Sequence, residues 1–187
     1  MTRILVTGAT GFVGSHVLTA LRDASAQVIA ACRSPVKLPE WYTGSVRPGD
    51  LRDAAYVDSL VEGVDVVIHA AAWAALYGHA REERDLFLEP TLRLLDAAER
   101  AGVGRFVFPS THGAARPGQG ADARAPGHGP RFWPHLRAVV AIEEAMRARA
   151  RWDFTMVTLR LGLFVGENHS LGLLPILLPR LKTHLVP

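Results

Sequence analysis

Arg3-Ile4-Leu5-Val6-Thr7-Gly8-Ala9-Thr10-Gly11-Phe12-Val13-Gly14 is the stretch that decides the fold. Its apolar first half reads as a short strand. Val13, Val17, Leu18 and Leu21 then recur at helical spacing and form one stripe that would lie on a sheet. Between strand and helix sits a glycine turn, in which Gly8 makes the tight bend, Gly11 lets the backbone approach a pyrophosphate, and Gly14 lets the helix pack close to the strand. The helix start would meet that anion with its N–H groups and the positive end of its dipole. A glycine-rich turn is often only a turn. The strand before it and the helix after it supply the context that a dinucleotide site requires.

The rest of the composition narrows the class. A chain of 187 residues suits one domain, 1–187, with a sizeable core, and 49% hydrophobic against 21% charged residues describes a globular protein. The 21 Lys and Arg are scattered among 18 Asp and Glu, so the net charge of +3 implies no nucleic-acid partner. Cys32 is the one cysteine, which excludes an internal disulfide, gives no metal site and fits a cytoplasmic setting. The first strand begins at once, leaving no room for a signal peptide. The longest apolar run, Leu171 to Leu178, holds Pro175 and is too short to cross a membrane, so no membrane partner is expected.

The spacing Thr-Gly-x-x-Gly-x-x-Gly over Thr7 to Gly14 resembles the extended short-chain dehydrogenase/reductase family, relatives of nucleotide-sugar epimerases, dehydratases and dihydroflavonol-type reductases. The resemblance implies an NAD(P) cofactor held by Thr7, Gly8, Thr10, Gly11, Phe12, Val13 and Gly14, and hydride transfer to or from a small carbonyl or alcohol substrate. It agrees with the repeated strand-helix order, which has no hairpin signals and predicts an α/β fold: a Rossmann-type doubly wound parallel sheet with helices on both faces and the ligand across the carboxyl ends of the strands.

Gln27 to Cys32 reads as the second strand, whose end meets the adenosine ribose in such folds. An acid there would select NAD. Arg33 stands there instead, with Lys37 nearby, and two cations suit a 2′-phosphate, so NADP is favoured over NAD; a solvated basic loop would carry the same residues. Farther on, Asp50 and Leu51 match the pair that holds adenine in the family, while Asp53 would cap a helix over Ala54 to Val61. The strand Asp65 to Ala71 runs into Ala70, Ala71 and Ala72, matching the family's alanine-rich turn against the cofactor, and His69 reads as a satisfied interior histidine.

Arg81 to Ala101 is helical by composition, with Pro90 set to kink or restart it. Phe87 stands where the family has an asparagine that orders the active site. Gly104 to Thr111 forms a strand whose end matches the active-site hydroxyl: Thr111 in that role, with Ser110 its neighbour on the cofactor side. The Gly- and Pro-rich stretch from Gly113 to Pro130 would border the substrate pocket.

The helix after that loop departs from the pattern. The family uses Tyr-x-x-x-Lys, one turn apart on one face, to transfer a proton and to bind ribose. Aligned by its trailing glutamate, this chain has His135 for Tyr and Val139 for Lys, and Tyr42, Tyr56 and Tyr77 all lie earlier in the sequence. A histidine can deliver a proton near neutral pH, which makes His135 the candidate acid. The other reading makes Leu136, Val139 and Val140 a core stripe and the chain an NAD(P)-binding or redox-sensing module without turnover. Asp153 to Leu161 is a further strand, and Leu159-Arg160-Leu161-Gly162 with Gly166 matches in outline the segment that closes over the nicotinamide. Family members run on for about another hundred residues. The resemblance thus implies that the substrate lobe is largely absent here, and that a homodimer pairs through helices flanking the active site.

Overall fold

The computed structural model describes residues 1–75, 78–116, 118 and 125–162. The expected match at Gly166 and the run from Leu171 to Leu178 lie outside these residues, as does Tyr77. The strands are β1 (Thr2–Thr7), β2 (Ala26–Cys32), β3 (Ser45–Pro48), β4 (Val66–His69), β5 (Arg105–Thr111) and β6 (Thr155–Leu161). The helices are α1 (Phe12–Ala20), α2 (Ala54–Leu60), α3 (Ala80–Glu83), α4 (Glu89–Arg100) and α5 (Pro134–Arg149). All strand pairs are parallel, in the order β3-β2-β1-β4-β5-β6. This is the doubly wound order of Rossmann folds, as the strand-helix alternation predicts.

Strand parity decides which helix covers which face. Leu5, Ile29, Val67 and Phe106 point one way and pack with Val57 and Leu60 of α2, Leu94 and Leu95 of α4, and Leu136, Val139, Ile142 and Met146 of α5. Ile4, Val6, Val28, Ala30 and Ile68 point the other way and meet Val17 and Leu18 of α1 and Leu21 at its C-cap. The amphipathic stripe read after the glycine turn is therefore the sheet-facing side of α1. The apolar stripe of α5 is likewise core: Leu136, Val139 and Val140 are 5%, 3% and 7% exposed.

Local chemistry sets the helix ends. Asp53 caps α2, its carboxylate accepting from the N–H groups of Ala55 and Tyr56 at 2.9 and 3.3 Å. The helix expected from Arg81 to Ala101 is broken as Pro90 requires. Proline has no N–H and its ring collides with the carbonyl four residues back, and here the chain opens into a π-turn over Arg84–Leu88 before α4 begins. That turn carries Phe87 into the interior, 3% exposed.

Candidate functional site

Thr7 at the end of β1 pairs with His69 at the end of β4, and β2 flanks β1 on its other side. The strand order reverses here. A crevice opens at such a point beyond the carboxyl ends of the strands, and this one is a cleft of about 650 Å³. Each glycine of the first turn has a separate reason. Gly8 has φ +64°, and a Cβ on it would lie 2.6 Å from the Ala71 backbone. At Gly14 a Cβ would lie 2.1 Å from the Gly8 carbonyl oxygen, so only glycine lets α1 start this close to the turn. Gly11 differs: its Cβ would meet only that same carbonyl, at 3.2 Å. Protein packing constrains this position far less than Gly14, and the residue lines the cleft.

The walls come from four strand ends. Thr7, Gly8, Thr10 and Gly11 line the cleft after β1, Arg33 and Lys37 after β2, Asp50 and Leu51 after β3, and Ala70, Ala71 and Ala72 after β4. Phe12, Val13 and Gly14 form the first turn of α1 beside it. The cradle of glycine backbone, the two cations and the volume fit a dinucleotide. His69 is 1% exposed, as expected of an interior histidine, and both ring nitrogens are paired: Nδ1 lies 2.7 Å from the Thr7 hydroxyl and Nε2 2.9 Å from that of Thr91. Burial pushes its pKa down to about 3, so the ring is neutral and helps fix the cleft floor.

The Asp50 carboxylate is held by its neighbour. Arg52 donates from Nη2 to Oδ2 at 2.7 Å and from Nε to Oδ1 at 3.0 Å, and its backbone N–H reaches Oδ1 at 2.9 Å. These bonds bring Asp50 down to about 2, with Arg33 adding to the attraction. Tyr56 lies against Gly49, donates its hydroxyl to the Arg47 carbonyl at 2.6 Å, and is pushed up to about 12 by burial. Arg52, Tyr56, Trp73 and Thr91 all line the cleft without carrying a sequence signal of their own, because their place depends on loops and helices brought in from elsewhere.

Of the two strand-end hydroxyls, Ser110 is placed otherwise than expected. Ser110, Thr111 and His135 all lie outside the cleft lining; Ser110, expected on the cofactor side, is 7% exposed and its hydroxyl donates to Glu143 Oε1 at 2.5 Å. The reason is parity: Phe106, Phe108 and Ser110 share the face that α5 covers, and Thr111 lies on the opposite one. Glu143 also pairs with Arg160, whose Nη2 donates at 2.6 Å, so a buried ionic cluster ties α5 to β5 and β6. Thr111 Oγ1 accepts the Gly113 N–H at 3.3 Å, which leaves its O–H proton to donate elsewhere.

His135 lies in the first turn of α5, its ring stacked on Phe87 at 5.3 Å between centroids. Phe87 in turn lines the cleft. The imidazole Nδ1 lies 3.1 Å from Oε2 of Glu83, a carboxylate 1% exposed. Val139, aligned with the family lysine, is part of the core and offers no cation. Glu83 has no sequence signal, since Arg81-Glu82-Glu83-Arg84-Asp85 reads as a solvated helix surface.

The fold agrees with what known proteins show. The model of the NAD dependent epimerase/dehydratase family matches residues 4–185, and the chain belongs to that family. It is 37% identical over 124 residues to 3 beta-hydroxysteroid dehydrogenase/Delta 5-->4-isomerase of Mycobacterium tuberculosis, a match covering 63% of this chain and 34% of that one. It is 34% identical over 164 residues to 2-alkyl-3-oxoalkanoate reductase of Stenotrophomonas maltophilia, covering 85% of this chain and 49% of the relative. UDP-glucose 4-epimerase of Thermus thermophilus, solved in complex with NAD, superposes with a TM-score of 0.74 at 25% identity, over all of this chain and 64% of that one. The chain thus spans about half or less of the length of the curated relatives it matches. No helix among the described residues is long and apolar enough to cross a membrane.

Proposed function

We propose that this chain binds NADP in preference to NAD and carries the nucleotide half of an oxidoreductase that moves a hydride between that cofactor and a small carbonyl or secondary alcohol. The observation that carries the reading is the cleft at the β1/β4 switch point, with an open backbone at Gly11 and two cations at the end of β2. Gly11 and the start of α1 hold the pyrophosphate, Asp50 and Leu51 the adenine, and Ala70 to Ala72 the backbone wall. Arg33 and Lys37 hold the 2′-phosphate that marks NADP; charge-assisted bonds to phosphate are the strong ones.

The cofactor, when bound, supplies or accepts the hydride. Thr111 donates its hydroxyl proton to the substrate oxygen, the Gly113 N–H having fixed the direction of that hydroxyl. His135 gives up a proton to the oxygen during reduction and takes it back during oxidation. A cytoplasmic location goes with this reading, since Cys32 is a buried free thiol.

Calorimetric titration with NADPH and, separately, NADH tests the proposal. Tighter binding of NADPH, weakened about tenfold or more by Arg33→Ala, is the expected result, one charge-assisted contact being worth about 1.5–3 kcal/mol. Equal affinity for both nucleotides, unchanged by Arg33→Ala, would remove the NADP assignment. No binding of either would remove the function. Binding without turnover of any ketone would leave a nucleotide-binding module.

A further inference from the structure

Glu83 poses a problem that its neighbours solve in one way. It is a carboxylate 1% exposed, at the end of α3, and among the described residues no lysine or arginine pairs with it. Its two oxygens are divided between two donors: the Ala75 N–H reaches Oε1 at 3.0 Å and His135 Nδ1 lies 3.1 Å from Oε2. An ionised carboxylate only accepts, so the pairing is satisfied when Nδ1 carries a proton. The π-turn supplies the second constraint. It holds Phe87, four residues beyond Glu83, in the interior beside His135, so the carboxylate grips one edge of the imidazole while the phenyl ring covers one face at 5.3 Å and 26°. A ring held at edge and face has a fixed direction, and its remaining nitrogen is Nε2. The His135 side chain is 19% exposed, against 2% for Glu83, so the histidine is the member of the pair that a ligand can reach.

We propose that Glu83 is the positioning residue of a Glu83–His135 dyad, which keeps a proton on Nδ1, donated to the carboxylate, and makes Nε2 the atom that exchanges a proton with the substrate oxygen. The inference rests on the hydride-transfer reading given above. In reduction, the hydride from the nicotinamide forms the new C–H bond as the carbonyl π pair moves to oxygen. That oxygen takes the Nε2 proton of the imidazolium, leaving a neutral ring whose Nδ1–H still faces Glu83. In oxidation, the alcohol proton goes to Nε2 as the hydride leaves. The arrangement occupies the place of the tyrosine without using the missing lysine: the second residue acts from α3, through the ring edge.

The test is the tautomer of His135, read by nitrogen-15 NMR of the histidine-labelled chain, with the pH raised until the ring signals stop moving. The eight histidines are distinguished by loss of one signal in His135→Gln. The expected result is a proton on Nδ1 and none on Nε2. In Glu83→Gln the amide oxygen keeps the Ala75 N–H and the amide NH2 turns to the ring, so the proton should move to Nε2. A ring merely wedged by packing would keep one tautomer in both proteins. Turnover of a 3-oxoalkanoate with NADPH should fall about 100-fold or more in kcat in Glu83→Gln, the scale of one lost general acid, with NADPH affinity unchanged. A wild-type proton on Nε2, or equal kcat in both proteins, overturns the dyad. If Glu83→Gln does not fold, the wild-type tautomer decides alone. A chain that binds no NADPH yet shows the Nδ1–H form refutes the hydride-transfer reading and leaves the fixed ring standing, so the two failures are distinct.

Discussion

Replacing Glu143 by leucine should be among the most damaging single changes in this fold, and the structure says by how much. Glu143 and Arg160 have side chains 2% and 6% exposed, joined by an Nη2–Oε2 bond of 2.6 Å, and Ser110 donates to the same carboxylate at 2.5 Å. Glu143→Leu removes the carboxylate and leaves a guanidinium and a hydroxyl buried without it. Breaking a buried pair from one side costs about 3–5 kcal/mol. For a domain of this size each kcal/mol lowers the melting midpoint by about 2–4 °C, so the drop should be about 6–20 °C. Circular dichroism melts, with urea titration as a check, measure it. The same reasoning makes a second demand: Glu143→Leu with Arg160→Leu should be more stable than Glu143→Leu alone, because two apolar side chains replace two desolvated charges. Arg100→Ala, which removes an exposed pair with Asp58, is the control and should barely move the midpoint. A single-variant drop no larger than the control's, or a double variant no better than the single, would refute the account of this cluster.

Three further predictions concern the cleft. Gly14→Ala forces a Cβ to within 2.1 Å of a backbone oxygen and should cost stability, on the order of 1–3 kcal/mol, whereas Gly11→Ala, with its contact at 3.2 Å, should lower the melt less than Gly14→Ala does and abolish NADPH binding in calorimetry. His69 has a pKa depressed to about 3, so the unfolded chain binds its proton more readily than the folded one. Its contribution to stability is full above about pH 6.5 and is lost as the pH falls toward 3, by up to about 1.4 kcal/mol per unit, and His69→Gln should flatten that slope in urea titrations run from pH 7 to 4. Arg52→Ala should return Asp50 from about 2 toward the ordinary carboxylate value near 3.9, read from the pH dependence of its carboxyl carbon NMR signal.

The sequence by itself determined the backbone plan. A strand, a glycine turn and an amphipathic helix are encoded between Thr2 and Leu21, because turn geometry and side-chain periodicity are local properties. The later strands, the Asp53 cap and the break ahead of Pro90 are legible for the same reason, and with the strand order they bring Thr7, Gly8, Arg33, Lys37, Asp50 and Ala70 to Ala72 to one cleft. Partners were not legible. Ser110 and Glu143 lie 33 residues apart, Glu83 and His135 lie 52 apart, and Thr7 and His69 lie 62 apart, and no local pattern says which acid a hydroxyl or an imidazole will meet. Glu83 shows the limit most plainly: in a run of charged residues it reads as surface. Only the π-turn and the packing of α3 on α5 put it inside, where a buried carboxylate must find a donor and His135 is the one at hand.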